Sequence, residues 1–476
     1  MTIFINSKLL KLTAMGAIVG MSAGCASVNF DEAVGNANQT AGSFTGGKLE
    51  LSRSDQQRNA KAKLATDLLA KPLSADDAVQ LALANSPAVQ TMLAQSWADM
   101  SAANQAARIA NPLFTFERMT LKDELELGRL LSFGLLDLLT LPRRFAIAQS
   151  QIAQAQVQLS SSVIDQVTQT RQAWVRAVAA SQTLQYADQI NTAAEASAEL
   201  AKRMQQVGNF NKLQRARQQV FYADSVAQLA AAQHSALAAR EELVRQLGLT
   251  DAQAAQLKLP ERLPDLPKAA RAPELVSSTA LEQRLDVQLA RGQLDAAGKS
   301  QGLNLITSLI DVEVGVRRDT IFDNAEGTSN RKRGYELEIR LPIFDWGNAR
   351  RDAMNAQSLA AANRYESTVR SATSQLRKSY SAYRTAYDVA RHYRDEVVPL
   401  RKTMAEENLL RYNGMLIGVF ELLADTRDQI GSVKAAINAY QQFWLADAAL
   451  SASMTGKPTS VMMAAPAAAG GGDKPH

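Results

Sequence analysis

One cysteine in 476 residues leaves no disulfide framework to hold this chain together and no thiolate cluster to ligate a metal. Histidine is nearly as scarce. His234, His392 and His476 lie far apart, none with a carboxylate or cysteine at metal-ligand spacing, so neither a catalytic constellation nor a metal or cofactor site is expected, and the chain does not read as an enzyme. Only 13 prolines and 6% aromatics argue against a sandwich or a doubly wound sheet and for long, close-packed helices. Neither sign of charge dominates: 52 Lys and Arg face 47 Asp and Glu, and the net +5 is spread without a basic block or aromatic platform, so no nucleic-acid partner is expected. Beyond the first residues no apolar run reaches the length of a spanning helix, and any membrane crossing by the mature chain must therefore use β-strands closed into a barrel. The length exceeds that of an ordinary domain and favours a repeated or elongated architecture.

What is present begins with an export signal. Lys8 and Lys11 precede the apolar run Leu12 to Gly24, too short to span a bilayer, so residues 1–24 read as a signal peptide. Ser22-Ala23-Gly24-Cys25 resembles the lipobox at which bacterial lipoproteins are cleaved and acylated, which makes Cys25 the expected lipidation site; the alternative is an incidental buried cysteine. Ala26 at the following position, by resemblance to lipoprotein sorting, favours the outer membrane. Residues 25–72 read as a polar linker, and the Ala- and Gly-rich residues 457–476 as a disordered tail.

Between them lie two copies of one pattern. Leu141-Pro142 and Leu341-Pro342 each precede a long helical stretch, and Gly208 and Gly414 each break one. Arg144 to Val207 and Arg350 to Asn413 are equal lengths of 64 residues, with apolar positions at spacings of three and four: Ile152, Ala155, Leu159, Val163 in one, Leu359, Ala362, Tyr365, Val369 in the other. A solid bundle would explain these stripes as well as a tube would. Ahead of each long helix sit two stretches of period two, expected as strands at about 113–121 and 125–134, and at about 309–317 and 334–341. Val312, Val314 and Val316 alternate with Asp311, Glu313 and Gly315; Tyr335, Leu337 and Ile339 alternate with Glu336, Glu338 and Arg340. Strands with one apolar and one charged side suit a membrane barrel, whose lumen Asp311, Glu313, Glu336 and Glu338 would line, whereas soluble hairpins capping a bundle are the bland reading. Four strands cannot close a barrel, so several chains must contribute, and a trimer would give twelve. The repeats are drawn at 73–250 and 274–456, with a link at 251–273.

These features together resemble the TolC-type outer membrane factor family over about residues 73 to 456. Leu73-Ser-Ala-Asp-Asp-Ala78 through Leu83-Ala-Asn-Ser-Pro87 is similar to the family's opening helix, Ala280-Leu-Glu-Gln-Arg284-Leu285-Asp286 to its counterpart, Leu341-Pro-Ile-Phe-Asp-Trp-Gly347 to its strand-to-helix junction, and Tyr412-Asn-Gly414 with Glu421-Leu-Leu423 and Arg427 to its hairpin tip. The resemblance implies a mainly α fold with a small β part, assembled as a homotrimer into a 12-stranded outer-membrane β-barrel continued by a periplasmic coiled-coil α-barrel. It implies the lipid-anchored outer-membrane channel of a tripartite efflux or secretion system in a Gram-negative bacterium, working with a periplasmic adaptor and an inner-membrane pump. Adaptor docking would fall on the tips, at Gly208, Asn209 and Phe210 and at Gly414, Met415 and Leu416, with Ile417 beside them. The periplasmic gate would use Glu421 and Asp425, four apart on one helical face, with Arg411 and Tyr412 available to lock it; a solvated charged face is the alternative. Pro399 should kink its helix. The rival function is a lipid-anchored periplasmic scaffold or adaptor that forms no pore. Which cargo passes is not written in the sequence.

Overall fold

A computed structural model describes residues 29–272, 284–307, 311–340, 343–344 and 346–456 of the chain. Cys25, the signal peptide, Leu341-Pro342 and the C-terminal tail lie outside the described residues. The helices are α1 (Phe30–Thr45), α2 (Asp55–Leu69), α3 (Ala75–Asn85), α4 (Pro87–Ala106), α5 (Leu135–Gln206), α6 (Lys212–Leu247), α7 (Asp251–Gln256), α8 (Leu285–Thr307), α9 (Asn348–His392), α10 (Val398–Asn413) and α11 (Val419–Thr455). The strands are β1 (Leu113–Leu121), β2 (Glu124–Gly134), β3 (Asp311–Asp323) and β4 (Thr328–Arg340). The structure is thus mainly helical with one small antiparallel sheet. No helix among the described residues is long and apolar enough to cross a membrane. The chain divides into two compact units.

One unit, comprising residues up to Ala33, Gln95–Val157 and Leu289–Ser367, holds the sheet. Its strands run in the order β1-β2-β3-β4, every neighbour antiparallel. Both hairpins are tight, at Lys122-Asp123 and at Asn324 to Gly327, and all four strands meet helices at their other ends. Both pairs of strands expected from the sequence are present, but β3 and β4 run further toward their hairpin than 309–317 and 334–341. The apolar alternation stops at Arg318 and Arg333, whereas the backbone ladder continues past them. The long helix after β2 does not wait for Pro142: it starts at Leu135, where the ladder ends, and carries Pro142 within it. Arg144 secures this start by donating to the carbonyls of Ala106 at 2.8 Å and Arg108 at 3.0 Å and pairing with Asp137 at 2.9 Å.

The other unit, Val34–Ala94, Gln158–Gln288 and Thr368 onward, contains the larger apolar cores. In one, Leu73, Leu81, Trp174, Val178, Leu243 and Leu247 pack together; in the other, Leu376, Tyr383, Tyr387 and Leu450 surround Phe443, which has no exposed surface. The link from Leu257 to Ala272 has no strand to pair with, so its carbonyls need other donors. Tyr387 donates to the Pro267 carbonyl at 3.1 Å, Trp444 to Pro264 at 3.1 Å and Tyr380 to Arg271 at 3.2 Å. Trp174 donates likewise to the Leu73 carbonyl at 2.8 Å.

One expectation is corrected here. Residues 25–72 are not a polar linker throughout, because α1 and α2 occupy most of the described part. Phe30, Ala33, Val34, Ala37 and Phe44 give α1 a buried face at helical spacing, Ser54 and Gln57 form a capping box on α2, and the Asn38 amide holds both backbone groups of Leu49. Pro399 lies at the start of α10, directly after a π-helical turn at Tyr393–Val397. The wider turn accommodates the missing N–H, so helical backbone continues from Asn348 to Asn413.

Candidate functional site

The sheet sorts its side chains by face, because residues paired across antiparallel strands point the same way. One face carries Phe114 and Phe116 of β1, Leu125, Leu127, Leu131 and Phe133 of β2, Val312, Val314, Val316 and Phe322 of β3, and Tyr335, Leu337 and Ile339 of β4. Most of these are exposed, Tyr335 by 91% and Phe114 by 61%, while Leu125, Leu127, Val312 and Val314 are half-buried. Below them Phe344 is 99% exposed and Trp346 60%. The opposite face carries every Asp and Glu of the four strands, the expected lumen residues Asp311, Glu313, Glu336 and Glu338 among them. In register, Glu313 stands opposite Glu338 and Gly315 opposite Glu336, while the backbone of Asp311 pairs with that of Arg340.

A residue the sequence reading missed organises that polar face. Arg317 pairs with Glu117 of β1 at 2.8 Å, Asp319 of its own strand at 3.1 Å and Glu336 of β4 at 3.7 Å. Gly128 of β2 makes room, since a Cβ there would stand 3.3 Å from Arg317, Asp319 and Glu117 alike. One cation thus joins three strands across the fourth. The signal was the lone basic residue in a period-two run of acids, visible only once the register is known.

The helical hairpins close at tips of one backbone design. At the first, Asn209 N–H donates to the Met204 carbonyl and Gly208 N–H to Gln205, with Gly208 at φ +82°. At the second, Leu416 N–H donates to Arg411 and Met415 N–H to Tyr412, with Met415 at φ +60°. Both are paired-bond helix closures ending in a left-handed residue. The structural counterpart of Gly208 is therefore Met415, and Gly414, at φ −79°, is an ordinary helix-end residue that needs no glycine freedom. Asn209, Met415 and Leu416 are exposed, as expected of docking residues, with Met415 at 93% and Leu416 at 75%, but Phe210 and Ile417 turn inward, at 9% and 8%. Val207 and Leu213 take their place as exposed apolar residues of the first tip.

The acids beyond the second tip also separate. Glu421, in the first turn of α11, is exposed, whereas Asp425 is buried with Oδ2 lacking a hydrogen-bond partner. Helical spacing of four puts them on one side of α11, and the packing of the tip gives only one of them to solvent. Arg411 and Tyr412 are exposed on the last turn of α10. Further along α11, the Arg427 guanidinium lies 4.0 Å over the Phe221 ring and donates to Gln218 at 3.1 Å, and burial lowers its pKa. Arg215 donates to Gln205 at 2.8 Å. Among the described residues, no His, Cys, Asp and Glu cluster is placed to hold a metal ion.

The profile of the family described as outer membrane efflux protein matches residues 276–409. No curated protein matches the sequence. The fold is shared with solved outer-membrane proteins. The CmeC outer membrane channel of Campylobacter jejuni matches with a TM-score of 0.65 at 14% identity, covering 84% of this chain and 86% of that one. The outer membrane protein VceC of Vibrio cholerae gives 0.65 at 16% identity, with 83% and 97% coverage. The open-state MtrE outer membrane channel of Neisseria gonorrhoeae gives 0.62 at 18% identity, with 83% and 89% coverage. The chain thus carries a match to the outer membrane efflux protein family over residues 276–409, within a fold it shares with solved outer membrane channels.

Proposed function

We propose that the chain is one protomer of a passive exit duct. Three copies join their sheets edge to edge into a 12-stranded outer-membrane barrel, and the helical hairpins extend into the periplasm toward an adaptor and an inner-membrane pump that supplies the energy. The observation that carries this reading is the sheet: apolar and exposed on one face, acidic on the other, and open at both edges. An open edge with an apolar face is untenable alone in lipid, where every backbone N–H and C=O must find a partner, and becomes stable when β1 of one copy pairs with β4 of the next. The exposed apolar pairs Val207 with Leu213 and Met415 with Leu416 suit docking against a partner groove. The gate is placed at the second tip, with Glu421 facing the pore and Asp425 packed behind it. Cys25 is the acylated anchor.

Single-channel conductance in a planar bilayer, alongside native mass, tests the reading. A trimer with small, discrete conductance that grows in Glu421→Ala supports duct and gate together. A monomer or dimer that never conducts, with or without that substitution, sinks the duct in favour of a lipid-anchored scaffold. For the cargo, acidic lumen residues favour cations; cation selectivity unchanged after neutralising Asp311, Glu313, Glu336 and Glu338 would remove that preference.

A further inference from the structure

The apolar face of the sheet is not apolar to its end. Its only charged strand residues are Arg118, Arg129, Arg318, Arg331 and Arg333, without one acid among them. In register, Arg129, Arg318 and Arg333 stand side by side in one row that continues to Phe116. Arg118 and Arg331 end the next row, on either side of Leu127 and Thr320. Like charges directly opposite one another repel, so three adjacent arginines destabilise a sheet unless something anionic covers them. The protein does not cover them: among the described residues none of the five has an ion pair, whereas Arg317, one position away on the other face, has three. Four of the five are exposed, and Arg129 is half-buried.

Their depth is set by the strands. On the helix side of the arginine rows lie only apolar rows: Phe114, Leu131, Val316 and Tyr335, then Phe133, Val314 and Leu337, then Val312 and Ile339. A strand tilted by about 40° crosses a hydrocarbon band of about 25 Å in roughly ten residues. β3 and β4 have 13 each. Counted from Asp311 and Arg340, ten residues end at Thr320 and Arg331, so Arg331 stands at the edge of the band and Arg318 and Arg333 two residues inside it, from where a long side chain reaches the lipid headgroups. Guanidinium is the cation whose forked donors match a phosphate, and it stands here five times where lysine would supply charge alone.

We propose that Arg118, Arg129, Arg318, Arg331 and Arg333 form a belt that binds phosphate-bearing lipid headgroups in the leaflet on the side away from the helices. This rests on reading the sheet as part of a membrane barrel. The occupant is a lipid, since the apolar rows directly beneath the arginines accept acyl chains that a free anion lacks.

The test uses the full-length protein reconstituted in phosphatidylcholine vesicles that carry either a bisphosphorylated glycolipid or its dephosphorylated form. After re-extraction, the glycolipid retained per protomer is counted by native mass spectrometry. The wild type should retain the phosphorylated form about ten-fold better than the dephosphorylated form, and replacing all five arginines by Gln should abolish that ratio. Replacement by Lys should keep part of it, which guards against a variant that merely folds poorly. A wild type that conducts but retains both glycolipids equally overturns the belt and leaves the duct standing. So does millimolar inorganic phosphate stripping the glycolipid completely, the mark of a simple anion site. A wild type that never conducts overturns both readings, and that result is read from the conductance.

Discussion

At the first hairpin tip the left-handed residue is Gly208, the loop passes through Asn209 and Phe210, and Asn211 caps α6 through a capping box with Gln214. At the second tip the same positions hold Met415, Leu416 and Ile417, and Gly418 begins α11 with no side-chain cap at all. The backbone hydrogen bonds are equivalent and the local support is not. A methionine held in the left-handed region costs roughly 1–2 kcal/mol relative to glycine. The Asn-to-Gly change at the cap costs a few tenths more. The turn is therefore dictated by the ladder and by the buried anchor two residues on, Phe210 or Ile417, while side-chain chemistry decides how firmly each turn is held. The second tip is the looser of the two, and it is the one at which the proposed gate lies. A segment meant to open belongs at the low end of local stability.

The largest effect expected is at Gly208. Gly208→Val should weaken the first tip by about 2 kcal/mol, read as faster amide exchange from Met204 to Phe210, because a branched side chain resists the left-handed conformation. Gly414→Ala should be nearly neutral, since its nearest neighbour to an added Cβ is 3.5 Å away and its φ is ordinary. Equal losses at Gly208 and Gly414 would refute the pairing of Gly208 with Met415. Next, Met415→Gly should slow exchange at the second tip by about 1 kcal/mol, and Asn211→Ala should cost the first tip about 1 kcal/mol; together they would erase the asymmetry. Smaller again, Gly418→Asn should gain a few tenths of a kcal/mol. The smallest effect is electrostatic. The hydrogen bond from Arg203 holds the Glu199 carboxyl, in the helix leading to the first tip, below its ordinary value of 4.5. That contribution is complete above the ordinary value and is lost as pH falls through the lowered one. Thermal melts should therefore show the wild type and Glu199→Gln converging at low pH.

Much of this was legible. Period-two runs located the strands, since a strand with unlike surroundings on its two faces alternates residue by residue, but the two 64-residue stretches are not equal helices, the first running Leu135–Gln206 and the second Asn348–Asn413 with a π-helical turn inside it. What escaped did so for identifiable reasons. The strand ends past Val316 and Tyr335 were hidden because arginine interrupts the apolar alternation where the proposed membrane level ends. The true counterpart of Gly208 was hidden because Met415 adopts a conformation no propensity assigns to methionine. Helix α1 was overlooked inside a polar stretch, although Phe30, Ala33, Val34, Ala37 and Phe44 already carried helical spacing. Arg317 and the burial of Asp425 depend on register and packing between distant segments, which one-dimensional spacing does not contain.

The two open edges of the sheet bear on how the molecule comes into being. A single copy with β1 and β4 already formed would present two rows of unpaired peptide groups flanking a surface of Phe, Leu, Val and Tyr, and any similar strand it met would be captured. The helical cores carry no such requirement. Under the proposed assembly, completion of the sheet should accordingly depend on the concentration of other copies and completion of the helices should not, so that dilution delays one without touching the other.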